Sequence, residues 1–259
     1  MAGACPPDLV AFADRLGDAA RRVIRRRFRT PIAVDIKADA SPVTLADKEA
    51  EQAIRRLIGR HYPSHGIQGE EFGISRPEAE WRWIVDPIDG TKSFMTGSPL
   101  FGTLIALMRR GRPVLGLMEQ PILEERWLAH GGQPTTLNGQ RIRPRRCPRL
   151  AEAVLYTSGL EYFQGHGEAG LRRLMAECRL TRFSADCYAL GLMTLGFVDL
   201  VIEPRVHPHD YAALVPIVEN AGGAMTDWQG RKLGYDRVGD FVAVGDRRLL
   251  APALALLAG

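Results

Sequence analysis

Trp83-Ile-Val-Asp86-Pro87-Ile88-Asp89-Gly90-Thr91 joins an apolar run to a turn that carries two carboxylates three residues apart. The apolar run predicts a short buried strand that leads straight into the turn. Pro87 fixes its own φ and disfavours helical geometry at Asp86, so the shape of the turn is largely preset. Gly90 permits close backbone approach, and the amides after it can hold an anion at a helix start. Hard divalent cations take oxygen ligands, so the turn favours Mg²⁺ bound with a phosphate. Taken alone, it also fits a surface turn in which an Asp side chain bonds its own backbone.

Three further acidic segments accompany this turn. They are Gly69-Glu70-Glu71, Thr44-Leu-Ala-Asp47 with the pattern of a helix capping box, and His207-Pro208-His209-Asp210 at a predicted helix start. Each has a plain structural explanation: solvated glutamates, a first-turn Asp stabilised by the helix dipole, and an N-cap Asp. Each segment is a weak signal separately, and together with residues 83–91 they form a recognisable set.

With these segments in this order, the chain resembles the inositol monophosphatase-like superfamily of Mg²⁺-dependent, lithium-sensitive phosphatases over nearly its whole length. The family motif W-[IV]-[IV]-D-P-[IL]-D-G-T stands at residues 83–91, the G-E-E element at 69–71, the T-x-x-D element at 44–47 and the last Asp at Asp210. The resemblance implies an α+β or α/β fold, a layered α-β-α-β-α sandwich of the inositol monophosphatase/fructose-1,6-bisphosphatase type, and a homodimer.

The resemblance also implies roles for the acidic residues. Glu70, Asp86 and the Ile88 carbonyl would hold one Mg²⁺, and Asp86, Asp89 and Asp210 a second, with room for a third, weaker ion near Glu70. Asp47 and Thr91 would hydrogen-bond the attacking water, while the Gly90 and Thr91 amides would hold phosphate oxygens. Carboxylates that converge without cations would raise one another's pKa, and bound cations remove that repulsion. The implied reaction is metal-assisted hydrolysis of a phosphate monoester by in-line attack of water.

Departures from the inositol phosphatase pattern bear on the substrate. His209 stands where those enzymes usually carry Trp, and Ser184-Ala185-Asp186-Cys187-Tyr188 replaces their G-[ST]-A-A segment. An acid at Asp186, together with Glu203, suits a substrate with an ammonium group and disfavours a neutral polyol. The Asp-Cys-Tyr segment and the runs at 90–94 and 112–116 resemble the bacterial histidinol-phosphate phosphatase branch. That branch implies L-histidinol phosphate as substrate, a role in histidine biosynthesis, and Asp186, Glu203 and Tyr188 as substrate-binding residues.

Several alternatives stay open from the sequence. Asp186 also fits a helix N-cap, and Glu203 a structural salt-bridge partner. The chain also fits an inositol-1-monophosphatase, a broad sugar or nucleotide monophosphatase, or a catalytically silent phospholigand-binding protein, although Asp47 and Thr91 argue against a silent protein. His207 and His209 invite a zinc hypothesis, but beside an all-oxygen ligand set we favour a role behind the ligands or along the substrate.

Composition sets the broad class of the protein. The chain has 259 residues, of which 46% are hydrophobic and 25% charged, with a net charge of +4, which is typical of a folded globular protein. An arginine-rich stretch, residues 21–29, predicts the polar face of a helix, and we expect no nucleic-acid partner. The four cysteines have neither zinc spacing nor the density of a disulfide scaffold. Because no apolar run reaches membrane length and residues 1–7 lack a signal pattern, we expect no membrane partner and a cytoplasmic location.

The order of predicted elements suggests two halves in one compact catalytic unit. Residues 1–145 form an N-terminal α+β half that carries most metal ligands, and residues 146–259 form a C-terminal α/β half with Asp210 and the substrate-binding residues. Strands are predicted at 83–86, 104–108, 114–118, 125–129, 154–156 and 199–202. Helices are predicted from about residue 9 to 24, from 45 to 58, and at 167–178, 186–196, 211–221 and 246–257.

Overall fold

The computed structural model describes residues 4–31, 34–36, 42–165 and 167–258. Its α-helices in this part of the chain are α1 (Pro7–Arg27), α2 (Leu45–His61), α3 (Thr91–Met95), α4 (Glu168–Glu177), α5 (Asp186–Thr194), α6 (Pro208–Tyr211), α7 (Leu214–Ala221) and α8 (Leu250–Ala258). The strands up to residue 141 are β1 (Val34–Ile36), β2 (Pro42–Thr44), β3 (Gly66–Gly69), β4 (Gly73–Ser75), β5 (Trp81–Asp89), β6 (Gly102–Arg109), β7 (Arg112–Gln120), β8 (Glu125–His130), β9 (Thr136–Leu137) and β10 (Gln140–Arg141). The later strands are β11 (Val154–Thr157), β12 (Leu180–Phe183), β13 (Leu200–Val206), β14 (Ala224–Thr226) and β15 (Gly239–Val244).

The strands form two large sheets and one small one. An eight-stranded sheet has the order β10-β9-β8-β7-β6-β5-β3-β4, in which only β3 and β5 run parallel to each other. A five-stranded sheet has the order β12-β11-β13-β15-β14, with the first three strands parallel and the last two joined antiparallel. Strands β1 and β2 pair with each other antiparallel.

Alternating side chains on the eight-stranded sheet separate two cores. Trp83 and Val85 of β5 face a core shared with α1 and α2, whereas Ile84 between them faces a core shared with α5 and α7. The second core also contains Val201 and Ala243 of the five-stranded sheet. The opposite face of that sheet packs on α4 and α8. The layers therefore alternate helix, sheet, helix, sheet and helix, which confirms the layered sandwich.

Local signals in the sequence located several elements well. Thr44 caps α2 as predicted, since its side chain accepts from the Ala46 amide and the Asp47 carboxylate accepts from the Thr44 amide at 2.9 Å. The predicted hairpin is β6 and β7. The helix predicted over 211–221 is instead two helices, α6 and α7, and the last helix begins at Leu250. Sequence reasoning missed short strands such as β3, β12 and β14, because three or four residues show no clear alternation. The division at residue 145 stays a prediction.

The arginine-rich stretch is bound largely to the protein itself. Arg21 pairs with the buried Glu119 at 2.5 Å, Arg25 with Glu124, and Arg27 with Glu49 at 2.7 Å. All four cysteines are free thiols. Among the described residues, none of the helices combines the length and apolar character that a membrane crossing requires. The prediction that residues 1–7 carry no signal peptide concerns a segment of which residues 1–3 lie outside the described residues.

Candidate metal centre and active site

A cavity of about 550 Å³ lies where the end of β5 meets the starts of α3, α5 and α6. It contains most of the site residues predicted from sequence, and its lining includes Glu70, Asp86, Ile88, Asp89, Gly90, Thr91, Asp186, Glu203 and Asp210. Asp210 joins the cavity from a segment more than a hundred residues away from the β5 turn. The two predicted residues outside this lining are Asp47 and Tyr188.

An irregularity at the end of β5 brings Asp86 and Asp89 into the same cavity. On a regular strand, residues three apart point to opposite faces of the sheet. Here the pairing of β5 with β6 shifts register between Asp86 and Asp89, around Pro87, which cannot donate to the ladder. The Pro87 carbonyl instead accepts from the Thr103 hydroxyl at 2.7 Å. The D-P-I-D segment is therefore a buried strand end rather than a surface Asx turn.

Two overlapping groups of side chains meet at Asp86. Ligand atoms of Asp86, Asp89 and Asp210 lie within 4.8 Å of one another, and those of Glu70, Asp86 and His209 do so as well. Asp86 is 2% exposed, and its Oδ1 atom has no hydrogen-bond partner among the described residues. A buried carboxylate oxygen without a donor, surrounded by other acids, needs a compensating positive charge. The donor set is mostly oxygen, so the site fits hard divalent cations such as Mg²⁺.

The raised pKa values of Asp86 and Asp89 also favour a cation site in this cluster. Burial raises the pKa of Asp86 well above its usual value, and the charges of Glu70, Asp89 and Asp210 raise it further. Burial also raises the pKa of Asp89, with further contributions from Asp186 and Asp210. The amide of Cys187, at the start of α5, donates to Asp89 Oδ2 at 2.6 Å and opposes that shift. Cations bound among these oxygens would restore the charged carboxylates.

Asp47 and Thr91 form a pair at the wall of the cavity. Asp47 is fully buried at the start of α2, and its Oδ1 lies 3.4 Å from the Thr91 hydroxyl. Burial raises the pKa of Asp47 to about 6, although two hydrogen bonds from Thr44 oppose the shift. Gly90 has a left-handed φ of 91° and caps α3, so Thr91 stands at the start of that helix. Asp47 therefore reaches the cavity through Thr91.

Glu51 supports the loop that carries Glu70, and sequence reasoning missed it. Its fully buried carboxylate accepts from the Glu71 amide at 2.7 Å, the Phe72 amide at 3.2 Å and Arg55 Nε at 2.6 Å. A β-carbon on Gly69 would lie 1.9 Å from Glu51 Oε1, so only glycine allows this approach. The signal was available, because Glu51 is an acid on the apolar face of an amphipathic helix.

Asp186 and Glu203 are two further acids of the cavity lining. Asp186 has a φ of 45° and accepts from the Ser93 hydroxyl at 3.1 Å. Ala185, not Asp186, occupies the N-cap of α5, so the N-cap explanation for Asp186 is wrong. Burial raises the pKa of both acids, while Ser93 opposes the shift at Asp186 and Ser158 opposes it at Glu203. Glu203 thus has a serine, rather than a basic side chain, as its hydrogen-bond partner.

Two sequence expectations need correction here. Tyr188 turns away from the cavity: its hydroxyl donates to Glu125 at 2.8 Å and its ring packs edge-on against Trp127. Two residues along a helix correspond to a rotation of about 200°, so Tyr188 cannot share the direction of Asp186. Asp210 is not an N-cap either, because His207 holds that position in α6 and Asp210 is the third helical residue. Its Oδ2 accepts from the His207 amide at 2.7 Å.

A lysine and a tyrosine at the cavity also escaped sequence reasoning. Lys92 donates to the Tyr162 hydroxyl, and its Nζ lies 4.7 Å from the centre of the Tyr162 ring. Lys92 also opposes the raised pKa of Asp186. The cavity therefore holds a cluster of acids together with Lys92, whose positive charge acts on Asp186.

Comparisons with known proteins agree with this geometry. Residues 7–258 match the model of the inositol monophosphatase family. The chain is 46% identical over 235 residues to the chloroplastic bifunctional phosphatase IMPL2 of Arabidopsis thaliana. The aligned region covers 90% of this chain and 68% of the plant protein. It is 36% identical over 230 residues to a histidinol-phosphatase of Mycobacterium tuberculosis, covering 86% and 88% of the two chains. A solved inositol monophosphatase from Zymomonas mobilis superimposes with a TM-score of 0.90 at 47% identity, covering 97% and 98%.

Proposed function

The chain belongs to the inositol monophosphatase family, and from that membership we propose that it is a Mg²⁺-dependent phosphatase of L-histidinol phosphate. Members of this family are phosphatases that hydrolyse phosphate monoesters. The observation that carries the substrate proposal is the pair of buried acids, Asp186 and Glu203, in the same cavity as the carboxylate cluster. The homodimer, the cytoplasmic location and the number of cations stay predictions.

The cavity residues have three proposed roles: binding cations, orienting the attacking water and binding the phosphate oxygens. Glu70, Asp86, Asp89, Asp210 and the Ile88 carbonyl would hold the cations. Bound Mg²⁺ supplies Lewis acidity at phosphorus and makes a water nucleophilic near neutral pH. Thr91 and Asp47 would orient that water, and its proton would pass through the Thr91 hydroxyl to the Asp47 carboxylate, whose Oδ1 lies 3.4 Å from that hydroxyl. The Gly90 and Thr91 amides at the start of α3 would bind phosphate oxygens.

Charge selects the alcohol part of the substrate. A buried carboxylate without a partner is unfavourable, and an incoming ammonium group relieves that penalty. L-Histidinol carries an α-ammonium group and an imidazole, whereas a neutral polyol would bring no positive charge to Asp186 and Glu203. The similarity to histidinol-phosphatases at 34–37% identity supports the same substrate.

A phosphate-release panel tests the proposal. The purified protein with Mg²⁺ receives L-histidinol phosphate, inositol 1-phosphate and 3′-phosphoadenosine 5′-phosphate, and we expect the largest kcat/KM for the first. Asp186→Asn should lose about 1–3 kcal/mol of discrimination for the ammonium substrate, or roughly 5- to 150-fold in the ratio of kcat/KM values. Asp236→Asn, at an exposed position, is the matched control and should leave that ratio unchanged.

An inositol monophosphatase is the second candidate. It is favoured by the superposition on the Zymomonas mobilis inositol monophosphatase at 47% identity. A preference for inositol 1-phosphate in the panel would overturn the substrate proposal but would still support Mg²⁺-dependent phosphatase activity. Binding of all three esters without phosphate release would favour the silent phospholigand-binding protein instead.

A further inference from the structure

His209 lies among the acids expected to bind cations. Its ring offers a nitrogen atom that lies within 4.8 Å of carboxylate oxygens of Glu70 and Asp86, and those two oxygens also lie within 4.8 Å of each other. Ligands at about 2.0–2.2 Å on opposite sides of one ion are separated by roughly 4.4 Å, and neighbouring ligands are closer. The three atoms are therefore spaced closely enough to share one cation after small side-chain rotations.

The start of α6 determines where the His209 ring lies. Pro208 begins the helix, and the rings of His207 and His209 stack with centres 5.1 Å apart and planes 5° apart. The His209 side chain is 15% exposed, and its Nε2 lies 3.2 Å from Asp210 Oδ1. A distance of 3.2 Å between His209 Nε2 and Asp210 Oδ1 is compatible with a hydrogen bond, and also with two neighbouring ligand atoms on one ion. The stacked partner His207 belongs to neither of the two ligand groups among the described residues.

A second observation at Asp86 points to a ligand in this place. Asp86 is 2% exposed, and its Oδ1 has no hydrogen-bond partner among the described residues, although Asp86 belongs to both ligand groups. Leaving a buried carboxylate oxygen without a donor is unfavourable unless a cation completes its environment. The acids alone account for hard cations, whereas an imidazole nitrogen in the same group adds a ligand that favours first-row transition ions.

We propose that His209 binds the cation held by Glu70 and Asp86 directly, through a ring nitrogen, and that this site therefore binds Mn²⁺ or Zn²⁺ more tightly than Mg²⁺. This inference rests on the metal centre of the proposed function and revises the expectation that His209 stands behind the ligands. It concerns only the selectivity of that centre for its cation. The choice of phosphate ester does not enter it.

Pulsed electron paramagnetic resonance tests the ligand directly. The intact protein is loaded with two equivalents of Mn²⁺, and electron spin-echo envelope modulation is recorded for wild type, His209→Gln and His207→Gln. We expect the modulation of a directly bound ¹⁴N nucleus in wild type and in His207→Gln, and its loss in His209→Gln. Replacing the histidines of the wild-type protein with ¹⁵N-labelled histidine should convert the ¹⁴N pattern to a ¹⁵N pattern, so the result does not depend on any variant folding.

Metal competition provides the second readout. Mutation of a residue that merely orients a ligand typically weakens metal binding 10- to 100-fold, so losing a ligand itself should weaken Mn²⁺ and Zn²⁺ binding by at least about tenfold. Mg²⁺ binding to His209→Gln should change less, because Mg²⁺ relies on oxygen ligands. Bound Mn²⁺ without nitrogen modulation in wild type, or with modulation that survives in His209→Gln, overturns this inference and leaves the proposed function standing. Failure of Mn²⁺ and Mg²⁺ to bind at all overturns both.

Discussion

Gly116→Ala should separate Asp210 from the rest of the metal centre. Gly116 lies in the middle of β7, where the Ala213 carbonyl between α6 and α7 approaches the sheet. A β-carbon on Gly116 would lie 2.0 Å from that oxygen and 2.7 Å from Pro216 Cγ. Ordinary contact begins near 3.4 Å, so the α6–α7 segment must retreat by about 1.4 Å.

The size of that displacement sets the expected loss of activity. Asp210 lies three residues before Ala213, so the retreat moves it away from Asp86 and Asp89. Misplacing a catalytic group by about 1 Å lowers the rate on the order of 10²-fold. Overpacking itself should lower the free energy of unfolding by about 1–3 kcal/mol. We therefore expect kcat to fall by about two orders of magnitude in a protein that still folds.

Phosphate release and thermal unfolding with and without Mg²⁺ measure these effects. The Mg²⁺-induced rise in Tm should shrink in Gly116→Ala, because a displaced Asp210 no longer contributes a ligand. Gly59→Ala is the matched control: a β-carbon there meets nothing within 4 Å, and in the last turn of α2 it should leave stability unchanged or raise it by less than about 1 kcal/mol. If Gly116→Ala kept wild-type kcat and the full Mg²⁺ response, the packing of α6–α7 on β7 would not position Asp210.

Three other predictions follow from the same site. Asp89→Asn should lower kcat on the order of 10³-fold, about 4 kcal/mol of transition-state stabilisation, while circular dichroism stays unchanged; near-normal turnover would exclude Asp89 as a ligand. Glu51→Gln should present an amide donor to the Glu71 amide, lower the free energy of unfolding by about 1–3 kcal/mol in denaturant titrations and weaken Mg²⁺ binding. The control is Glu49→Gln, in the half-exposed pair with Arg27, which should change the free energy of unfolding by less than about 0.5 kcal/mol. Without Mg²⁺, the folded protein binds protons at Asp86 and Asp89 more tightly than the unfolded chain, so its stability should fall as pH rises above about 4. The Tm difference between Mg²⁺ and EDTA samples should therefore be larger at pH 8 than at pH 5, and an equal difference at both would contradict the assigned pKa direction.

Much of the site was visible in local sequence patterns. The capping box at Thr44 and Asp47, the buried strand that carries Asp86, and the αL glycine before α3 each depend on residues within a few positions of one another. Local sterics and hydrogen bonds dictate such features whatever the rest of the chain does. The resemblance to a family added Asp210 and Glu70 to the set, and the structure brings both to the cavity.

Other features depended on packing between distant segments. Tyr188 looked like a neighbour of Asp186, but the rotation of α5 directs its ring to Trp127 in the core. Glu51 stands out in the sequence as an acid on the apolar face of α2, but only the fold brings the Glu70 loop against its carboxylate.

Local sequence patterns specified most of the longer elements and the chemical types of the ligands, since those follow from short-range geometry and charge. Only the stacking of two sheets and three helical layers determined which side chains share the cavity. The reason is that contacts such as Asp86 with Asp210, or Asp89 with the Cys187 amide, join residues about a hundred positions apart. Their distances depend on the close approach of whole layers, and no local pattern encodes that approach.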